Sequence, residues 1–271
     1  MNNIPTQKDR TELFHGALIQ HGPLSRRIYL MKIKDADPAL LIEKMQQLAA
    51  DNGYTKIFAK VPGCKADAFL ESGFEKEAEI PGFFNGEESG VFLGRYLDEG
   101  RKKEADLEVI EKNLEICATK KCVDPGRLRA GAVMRKCVPE DAKSMSEIYK
   151  VVFESYPFPI HDPDYLVETM LDHIIYFGVE VDGQLVSLSS AETDPAAGNV
   201  EMTDFATLPD FRGNKFASHL LCYMEEEMKK SGFHTGYTIA RAVSPAMNIT
   251  FKKGGYEYGG RLVNNTNISG Q

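Results

Sequence analysis

The sequence predicts an α/β protein of the α+β type, organised as two related halves. Strand-like apolar runs recur along the chain and alternate with segments that have helical spacing. In the second half, these segments follow the order β-α-α-β-β-β-α-β-α-β, which predicts a central mixed sheet covered by helices. An internal repeat is the third observation, because residues 55–80 align without a gap on residues 237–262.

The first half begins with β-rich pieces, of which residues 27–33 are the clearest. A helix is predicted over residues 38–50, where Leu40, Leu41, Met45 and Leu48 share one face. The pair Asn52-Gly53 ends this helix. The remaining predictions for this half are a strand over 55–61, a helix over 67–72, and strands over 74–80 and 91–96, with turns at Pro81-Gly82 and Asn85-Gly86.

A charged segment with helical spacing over residues 98–121 predicts a connecting helix, which Asp124-Pro125-Gly126 ends. The dipeptide Asp182-Gly183 predicts a β-hairpin in the second half. Strands are predicted there over 133–138, 174–181, 184–192, 200–206 and 236–243, with a last strand from Tyr256, and helices over 142–153, 163–171, 218–230 and 246–253.

Composition narrows the class of partner. The chain has 271 residues and a net charge of −8, which argues against nucleic acid and favours cationic small molecules. Its five cysteines form no Cys-x-x-Cys pair, and their odd number predicts reduced thiols in a cytoplasmic protein. No apolar run reaches the ~18 residues of a membrane span, so we predict no membrane association. No cluster has zinc-ligand spacing, and we predict no metal site.

The segment from residue 207 to 220 organises the second half. A predicted strand ends at Ala206, and the small and basic turn from Arg212 to Ala217 opens a helix. Such a turn presents backbone N–H groups and the positive end of the helix dipole, which together suit a phosphate.

This strand, turn and helix resemble the acetyl-CoA loop of the GCN5-related N-acetyltransferases (GNAT superfamily), whose pattern is Arg/Gln-x-x-Gly-x-Gly/Ala. Arg212 and Ala217 match, whereas Lys215 stands where the family usually has glycine. We expect this departure to be tolerated if the backbone of Lys215 is ordinary helix. The resemblance implies acetyl-CoA as acetyl donor, and it implies these cofactor-binding residues: Phe205, Ala206, Thr207, Arg212, Gly213, Asn214, Lys215, Phe216, Ala217, Ser218, Asn248 and Phe251.

The first half lacks this basic turn. Ahead of its helix stand Asp35 and Asp37, whose carboxylates satisfy the helix dipole and repel a phosphate. We therefore predict a partial, non-catalytic GNAT-like domain over residues 1–97, a linker over 98–130, and a catalytic GNAT domain over 131–271.

The resemblance also bears on catalysis. An amine of pKa ~10 must lose a proton before it attacks a thioester. Glu201 stands where GCN5-type members carry their general base, and the family's equivalent strand is bulged, so that Glu201 and Asp204 need not face opposite sides. Phe251 replaces the tyrosine that often protonates the leaving thiolate. The general acid is left open among Tyr256, Tyr258 and a water.

A second signature narrows the acceptor. The string Tyr156-Pro-Phe-Pro-Ile-His-Asp162, with residues 260–268, resembles the β-lysine N-acetyltransferases, which make a compatible solute used in osmoadaptation. This implies a small diamine substrate; the sequence is compatible with a homodimer but does not determine the oligomeric state. Two alternatives are an acetyltransferase for another small amine or for protein lysines, and a non-catalytic acyl-CoA-binding regulator. The predicted substrate-binding residues are Tyr156, His161, Asp162, Glu192 and Asp204.

Overall fold

The computed structural model describes residues 9–154, 156 and 158–266. Pro157 of the acceptor signature, and Asn267 and Ile268 of the second signature, lie outside these residues. The chain divides into two compact units, one formed by residues up to Ala105 together with those from Gly259 onward, the other by residues 106–258. The boundaries predicted at residues 97/98 and 130/131 stay predictions, and the structure differs from them in returning the last residues to the first unit.

The first unit contains one six-stranded sheet in the order β1-β2-β3-β4-β6-β5, in which β3 and β4 are parallel and the other neighbours antiparallel. Its elements are β1 (Arg10–Phe14), β2 (Ala17–Gly22), β3 (Arg27–Lys32), α1 (Pro38–Asn52), β4 (Lys56–Pro62), α2 (Ala66–Glu71), β5 (Glu75–Phe84), β6 (Glu88–Tyr96) and α3 (Glu99–Lys102). These bounds confirm the strands and helices predicted for this half to within a few residues.

The start of helix α1 follows from its sequence. Pro38 occupies its first turn, and the carboxylate of Asp37 accepts a hydrogen bond from the backbone N–H of Leu40 at 2.8 Å. The helix buries Leu41, Ile42, Met45 and Ala49. The predicted inner face was therefore wrong at Leu40, which is 48% exposed. Leu40 is exposed because the buried face of the helix is centred on Leu41 and Met45.

Two other expectations for this region were wrong. The Pro81-Gly82 pair forms no turn between strands; β5 continues through it with a register shift, and Gly82 has a φ of 62°. Proline is tolerated there because β5 is an edge strand. The single helix predicted over residues 98–121 is broken after α3, where the side-chain amide of Asn264 binds the carbonyl groups of Arg101 and Lys103.

The second unit contains a five-stranded sheet in the order β11-β10-β9-β8-β7. Its elements are α4 (Leu107–Ala118), β7 (Ala132–Lys136), α5 (Ala142–Val152), α6 (Pro163–Asp172), β8 (Ile174–Val181), β9 (Gln184–Asp194), β10 (Asn199–Thr207), α7 (Phe216–Lys230), β11 (Thr235–Tyr237) and α8 (Pro245–Lys253). Strands β10 and β11 are parallel and the other pairs antiparallel.

Two hydrophobic clusters cover the two faces of this sheet. One joins Tyr176, Leu188 and Ala206 of the sheet to α5 and α6. The other joins Phe177, Val200 and Met202 to α7 and α8. The predicted hairpin is confirmed, since Asp182 and Gly183 both have positive φ between β8 and β9. Residues of the candidate site described below lie on both faces of this sheet.

The end of the second half differs from the prediction. Strand β11 has three residues instead of the expected eight, and residues 256–262 form a single isolated bridge, between Ala78 and Gly260, in place of a strand. From Gly259 onward the chain pairs with β5 of the first unit, where the carbonyl of Gly259 accepts from the N–H of Glu79 at 2.9 Å. The segment is therefore absent from the second unit's sheet.

The internal repeat is reproduced in part: residues 55–80 form β4, α2 and the start of β5, whereas residues 237–262 contain α8 but no strand after it. Both units contain a strand, a helix and a parallel neighbouring strand, formed by β3-α1-β4 in one unit and β10-α7-β11 in the other. The matching glycines Gly73 and Gly255 follow α2 and α8 with φ of 82° and 94°. Within the described residues, no helix is long and apolar enough to cross a bilayer.

Candidate active site

The turn before α7 has the features of an anion site. Helix α7 has no side-chain cap, whereas α1 of the first unit is capped by Asp37. Arg212 and Lys215 are exposed, and open space surrounds the α-carbon of Gly213, whose φ is 82°. Uncapped N–H groups, the helix dipole and two cations form a donor set that fits a pyrophosphate.

Lys215 does not have the ordinary helical backbone under which we expected this departure from the family pattern to be tolerated. Lys215 has φ 59° and ψ 22°, the left-handed conformation, and it precedes the helix instead of lying within it. This explains why glycine is usual at this position, since glycine adopts that conformation without strain. In this chain, the ammonium Nζ donates to the carbonyl oxygen of Pro125 at 3.3 Å.

Strand β10 is bulged next to this turn. Its register against β9 shifts between Thr203 and Ala206, and Asp204 within the bulge has φ 53°. Glu201 is paired with Glu192, and directly paired residues of antiparallel strands project to the same face. The bulge directs Asp204 to that face as well, and Phe205 to the opposite one. Glu192, Glu201 and Asp204 thus share the face that α5 and α6 cover.

Asp204 is buried, and both oxygens of its carboxylate accept hydrogen bonds from hydroxyl groups. Its carboxylate accepts hydrogen bonds from Ser190 Oγ at 2.6 Å and from the hydroxyl of Tyr156. Burial raises the pKa of Asp204, and the hydrogen bonds from Ser190, Tyr156 and Thr203 oppose this shift. The sequence predicts that Asp204 binds substrate, whereas this geometry favours a structural role for its bonded carboxylate.

Tyr156 connects the acceptor loop, residues 153–162, to the bulged strand. Its ring packs against that of Phe153, with the ring centroids 5.1 Å apart. Burial is the main cause that raises the pKa of the Tyr156 hydroxyl well above its usual value, and the charge of Asp204 is the second. Burial, with Glu192 and Asp204 as further causes, also raises the pKa of Tyr165. Both tyrosines therefore stay neutral, and Tyr156 donates its hydroxyl hydrogen bond to Asp204.

Asp162 and His161 lie at the other end of the acceptor loop. Asp162 is exposed and caps α6, accepting from the N–H of Asp164 at 3.1 Å. The carbonyl of His161 accepts from Ser146 Oγ at 2.8 Å, while its ring Nε2 is buried without a partner among the described residues. The hydrogen bonds of both residues thus lie within the α5–α6 corner, and their substrate roles stay predictions.

Comparison with known proteins identifies the family. A sequence profile described as "Acetyltransferase (GNAT) family" matches residues 143–248. The chain is 36% identical to the β-lysine N(6)-acetyltransferase of Methanococcus maripaludis, over 94% of this chain and 92% of that one. The chain belongs to the acetyltransferase (GNAT) family. Membership makes it an acyltransferase with acetyl-CoA as its acetyl donor.

Other relatives agree with this assignment. The chain is 31% identical to the β-lysine N(6)-acetyltransferase of Methanosarcina mazei, covering 83% of this chain and 90% of that one. It is 31% identical to the N-acetyltransferase YodP of Bacillus subtilis, covering 93% and 91%. Among solved structures, the C-terminal domain of a protein named as a lysylphosphatidylglycerol synthetase from Agrobacterium fabrum matches with TM-score 0.50, 11% identity, and 83% and 69% coverage, which shows a shared fold.

The remaining residues that we predicted to bind the cofactor lie on β10, α7 and α8. Asn248 donates from its amide to the carbonyl groups of Arg241 at 2.9 Å and Ser244 at 2.7 Å, which orders the turn before α8. Phe251 is buried, with its ring 5.5 Å from that of Phe205. The first turn of α7 holds Phe216, Ala217 and Ser218, and Thr207 Oγ1 lies 2.7 Å from Ser187 Oγ.

The candidates for the general acid can now be compared. The hydroxyl of Tyr256 is hydrogen-bonded to Glu225 of α7, and its ring packs 5.1 Å from that of Phe251. Burial and the nearby Glu225 raise the pKa of Tyr256, which weakens it as an acid. Tyr258 is 63% exposed.

Sequence reasoning missed Ser190, which binds Asp204, and Tyr149, whose fully buried hydroxyl has no partner among the described residues. A signal for the first was present, because Ser187, Ser189 and Ser190 interrupt an otherwise apolar strand and all three are buried. Buried hydroxyls usually have a hydrogen-bond partner, so such a run indicates a polar network.

Proposed function

We propose that the protein transfers the acetyl group of acetyl-CoA to the terminal amine of β-lysine, with Glu201 as general base. Two relatives that match this chain over most of its length carry that activity in their names. The observation that carries the proposal in the structure is the cross-strand pair of Glu192 and Glu201 on the face beside the bulge. Two facing carboxylates suit a substrate with two ammonium groups.

The roles of the residues follow from the chemistry. Acetyl-CoA supplies a thioester carbonyl when bound. Glu201 accepts a proton from the acceptor's terminal ammonium, directly or through a water, which leaves a nucleophilic amine. Glu192, on the neighbouring strand, holds the second ammonium. Tyr156 and Tyr165 shield this face from solvent, which strengthens both charge interactions.

The proton that the leaving thiolate needs comes from water. Phe251 has no proton to donate, and the hydroxyl of Tyr256 is already bound to Glu225. The product of acetylation retains one ammonium and one carboxylate and has no net charge. This property suits the compatible solute that the resemblance implies.

The test is a substrate panel assayed by thiol release from acetyl-CoA, with products identified by mass spectrometry and NMR. We expect the highest kcat/KM for β-lysine, with the acetyl group on its terminal amine. α-Lysine is the matched control, because it differs only in the position of the second amine. Preference for a peptide lysine would contradict the proposal in favour of a protein acetyltransferase. Cofactor binding without turnover of any amine would indicate a regulator.

A further inference from the structure

The segment that joins α4 to β7, residues 119–131, crosses the start of α7; we name it the connecting arm. The N–H of Val123 donates to the carbonyl oxygen of Lys253 at 2.9 Å, which places the arm at the end of α8. Two residues later, the carbonyl oxygen of Pro125 accepts from Lys215 Nζ. The arm therefore runs from the end of α8 to the turn before α7, which contains Arg212 and Lys215.

The arm brings a further cation, Arg129, to this turn, in addition to Arg212 and Lys215. The guanidinium carbon of Arg129 lies 5.8 Å from the ring centroid of Phe211, the residue directly before Arg212. Leu128, the residue before Arg129, packs against the hydrophobic cluster under α7 and so holds the arm in place next to Arg129. Arg129 itself is exposed. Contacts at residues 211 and 215 thus place the arm on both sides of Arg212.

Acetyl-CoA carries phosphate in two places, the pyrophosphate and the 3′-phosphate of its ribose. The uncapped N–H groups of α7 and the side chain of Arg212 fit the pyrophosphate, but they leave the 3′-phosphate without a partner of its own. A guanidinium stacked on an aromatic ring keeps its N–H edge available, and that edge matches a phosphate in a two-bond fork.

The one acid of the arm, Asp124, accepts the N–H of Gly126 at 2.6 Å within the arm's own turn. We propose that Arg129, assisted by Lys215, binds the 3′-phosphate of coenzyme A, so that the connecting arm selects coenzyme A over dephospho-coenzyme A. The proposal rests on acetyl-CoA as the donor and is independent of which amine is acetylated.

The test is calorimetric titration of the full chain with coenzyme A and, separately, with dephospho-coenzyme A, without any amine. We expect the wild-type chain to bind coenzyme A about tenfold more tightly or better. Arg129→Gln should weaken coenzyme A binding about tenfold, the scale of one charge-assisted contact at a partly screened site, and leave dephospho-coenzyme A within about twofold. Arg129→Lys should lose less, because it keeps the charge but lacks the fork.

Lys229→Gln is the matched control, since it removes an exposed cation from the other end of α7. It should leave both affinities unchanged. An equal loss for the two ligands in Arg129→Gln would overturn the proposal, because it would mean that Arg129 supports the arm or the pyrophosphate. Unchanged binding of coenzyme A would overturn it too. Failure of wild-type chain to bind either ligand would instead contradict the donor, and a normal pattern without β-lysine turnover would contradict the proposed acceptor alone.

Discussion

At the scale of single residues, the left-handed backbone of Asp204 decides which side chains of β10 lie on the face that α5 and α6 cover. Asp204 has φ 53° and lies in the bulge of β10. Because of the bulge, Glu201 and Asp204 share one face of the sheet, and Phe205 packs against Phe251 on the other face. A non-glycine residue in this conformation costs of order 1 kcal/mol, and the hydrogen bonds from Ser190 and Tyr156 offset that cost. The polar network thereby maintains the bulge.

The first prediction concerns Glu201. Glu201→Gln should lower kcat by about 10²- to 10⁴-fold at neutral pH, because the amide cannot accept the amine proton. Activity should recover in part at high pH, where more acceptor is already deprotonated, while the Kd for acetyl-CoA stays unchanged. The measurement is kcat against pH at saturating acetyl-CoA, with Glu226→Gln on the exposed side of α7 as control. Near-normal turnover of Glu201→Gln at neutral pH would place the base elsewhere.

The second prediction concerns Asp204 and pH. Burial raises the folded-state pKa of this carboxyl above its unfolded value, so the folded state holds the proton over a wider pH range. Its contribution to stability is therefore present at low pH and is lost as pH rises through the raised pKa. We expect the Tm of the wild type minus that of Asp204→Asn to decrease as pH is raised from about 4, the usual aspartate pKa, to 7.

Thermal unfolding at matched ionic strength measures this difference, in which the other titrating groups cancel. A difference that grows with pH would show that Asp204 is stabilised as the carboxylate, and hence that the hydroxyl donors outweigh burial.

At the scale of elements, the acceptor loop ends at Asp162, the residue that caps the start of α6. Asp162 caps α6, and the carbonyl of the preceding His161 is held by Ser146 of α5. The loop's position thus depends on a helix cap at one end and on the Tyr156–Asp204 hydrogen bond at the other. A substitution at Asp162 therefore acts on structure and on charge, and the two effects need different variants.

The third prediction separates these effects. Asp162→Asn keeps a good cap, so its Tm should be unchanged, whereas Asp162→Ala should lose about 1 kcal/mol of stability. If Asp162 also binds an ammonium, Asp162→Asn should weaken β-lysine about one to two decades, from a charge-assisted contact of ~1.5–3 kcal/mol. Asp164→Asn, two residues on, is the control. Normal β-lysine KM in Asp162→Asn would limit Asp162 to the cap; acetyl-CoA affinity should stay constant throughout.

At the scale of the whole molecule, two units of related topology differ in the residues at one helix start. Helix α1 is capped by the carboxylate of Asp37, while α7 is uncapped and preceded by Arg212 and Lys215. A carboxylate already satisfies the N-terminal N–H groups and repels phosphate. Of these two helix starts, that of α7 therefore has the composition of a cofactor site and that of α1 does not.

The fourth prediction is a stoichiometry of one acetyl-CoA per chain. Arg212→Glu should raise the Kd at least tenfold, because a donor to phosphate becomes a repelling acid. Calorimetry gives both numbers, and Arg26→Glu in the first unit is a control with the same change of charge. Two equivalent sites per chain, or an unchanged Kd in Arg212→Glu, would contradict the assignment of the site to α7.

The fifth prediction concerns the return of the chain end to the first unit. Lys56 is fully buried and donates to Glu77 at 2.7 Å and to the carbonyl oxygen of Val263 at 2.7 Å. Burial lowers the pKa of Lys56 to about 8, with Glu77 acting against the shift. Lys56→Met should destabilise the first unit by ~3–5 kcal/mol, since it leaves Glu77 buried without its cation.

Hydrogen exchange resolved by segment measures this loss, because a chain with two units need not unfold in one step. We expect faster exchange in β4 and in residues 260–266, with α7 unaffected. The double variant Lys56→Met/Glu77→Gln should recover part of the protection, since no unpaired charge is buried. Equal exchange in wild type and Lys56→Met would show that the pair contributes nothing to that unit.

The sequence by itself determined the features that depend on neighbouring residues. Apolar periodicity located most strands and helices, Asp182-Gly183 specified a hairpin, and the string around Arg212 with the acceptor signature indicated the family. These signals are local, because a turn or a helix face is set within a few residues. They do not depend on how distant segments pair.

The tertiary structure alone decided what distant segments do to one another. Tyr156 and Asp204 are 48 positions apart, and only their contact shows that Asp204 is already bonded. Asn264 ends α3 from 163 positions away, and the pairing of Gly259 with Glu79 removes the expected last strand. Side-chain order along a strand is periodic until a bulge reverses it, and the bulge is set by the neighbouring strand.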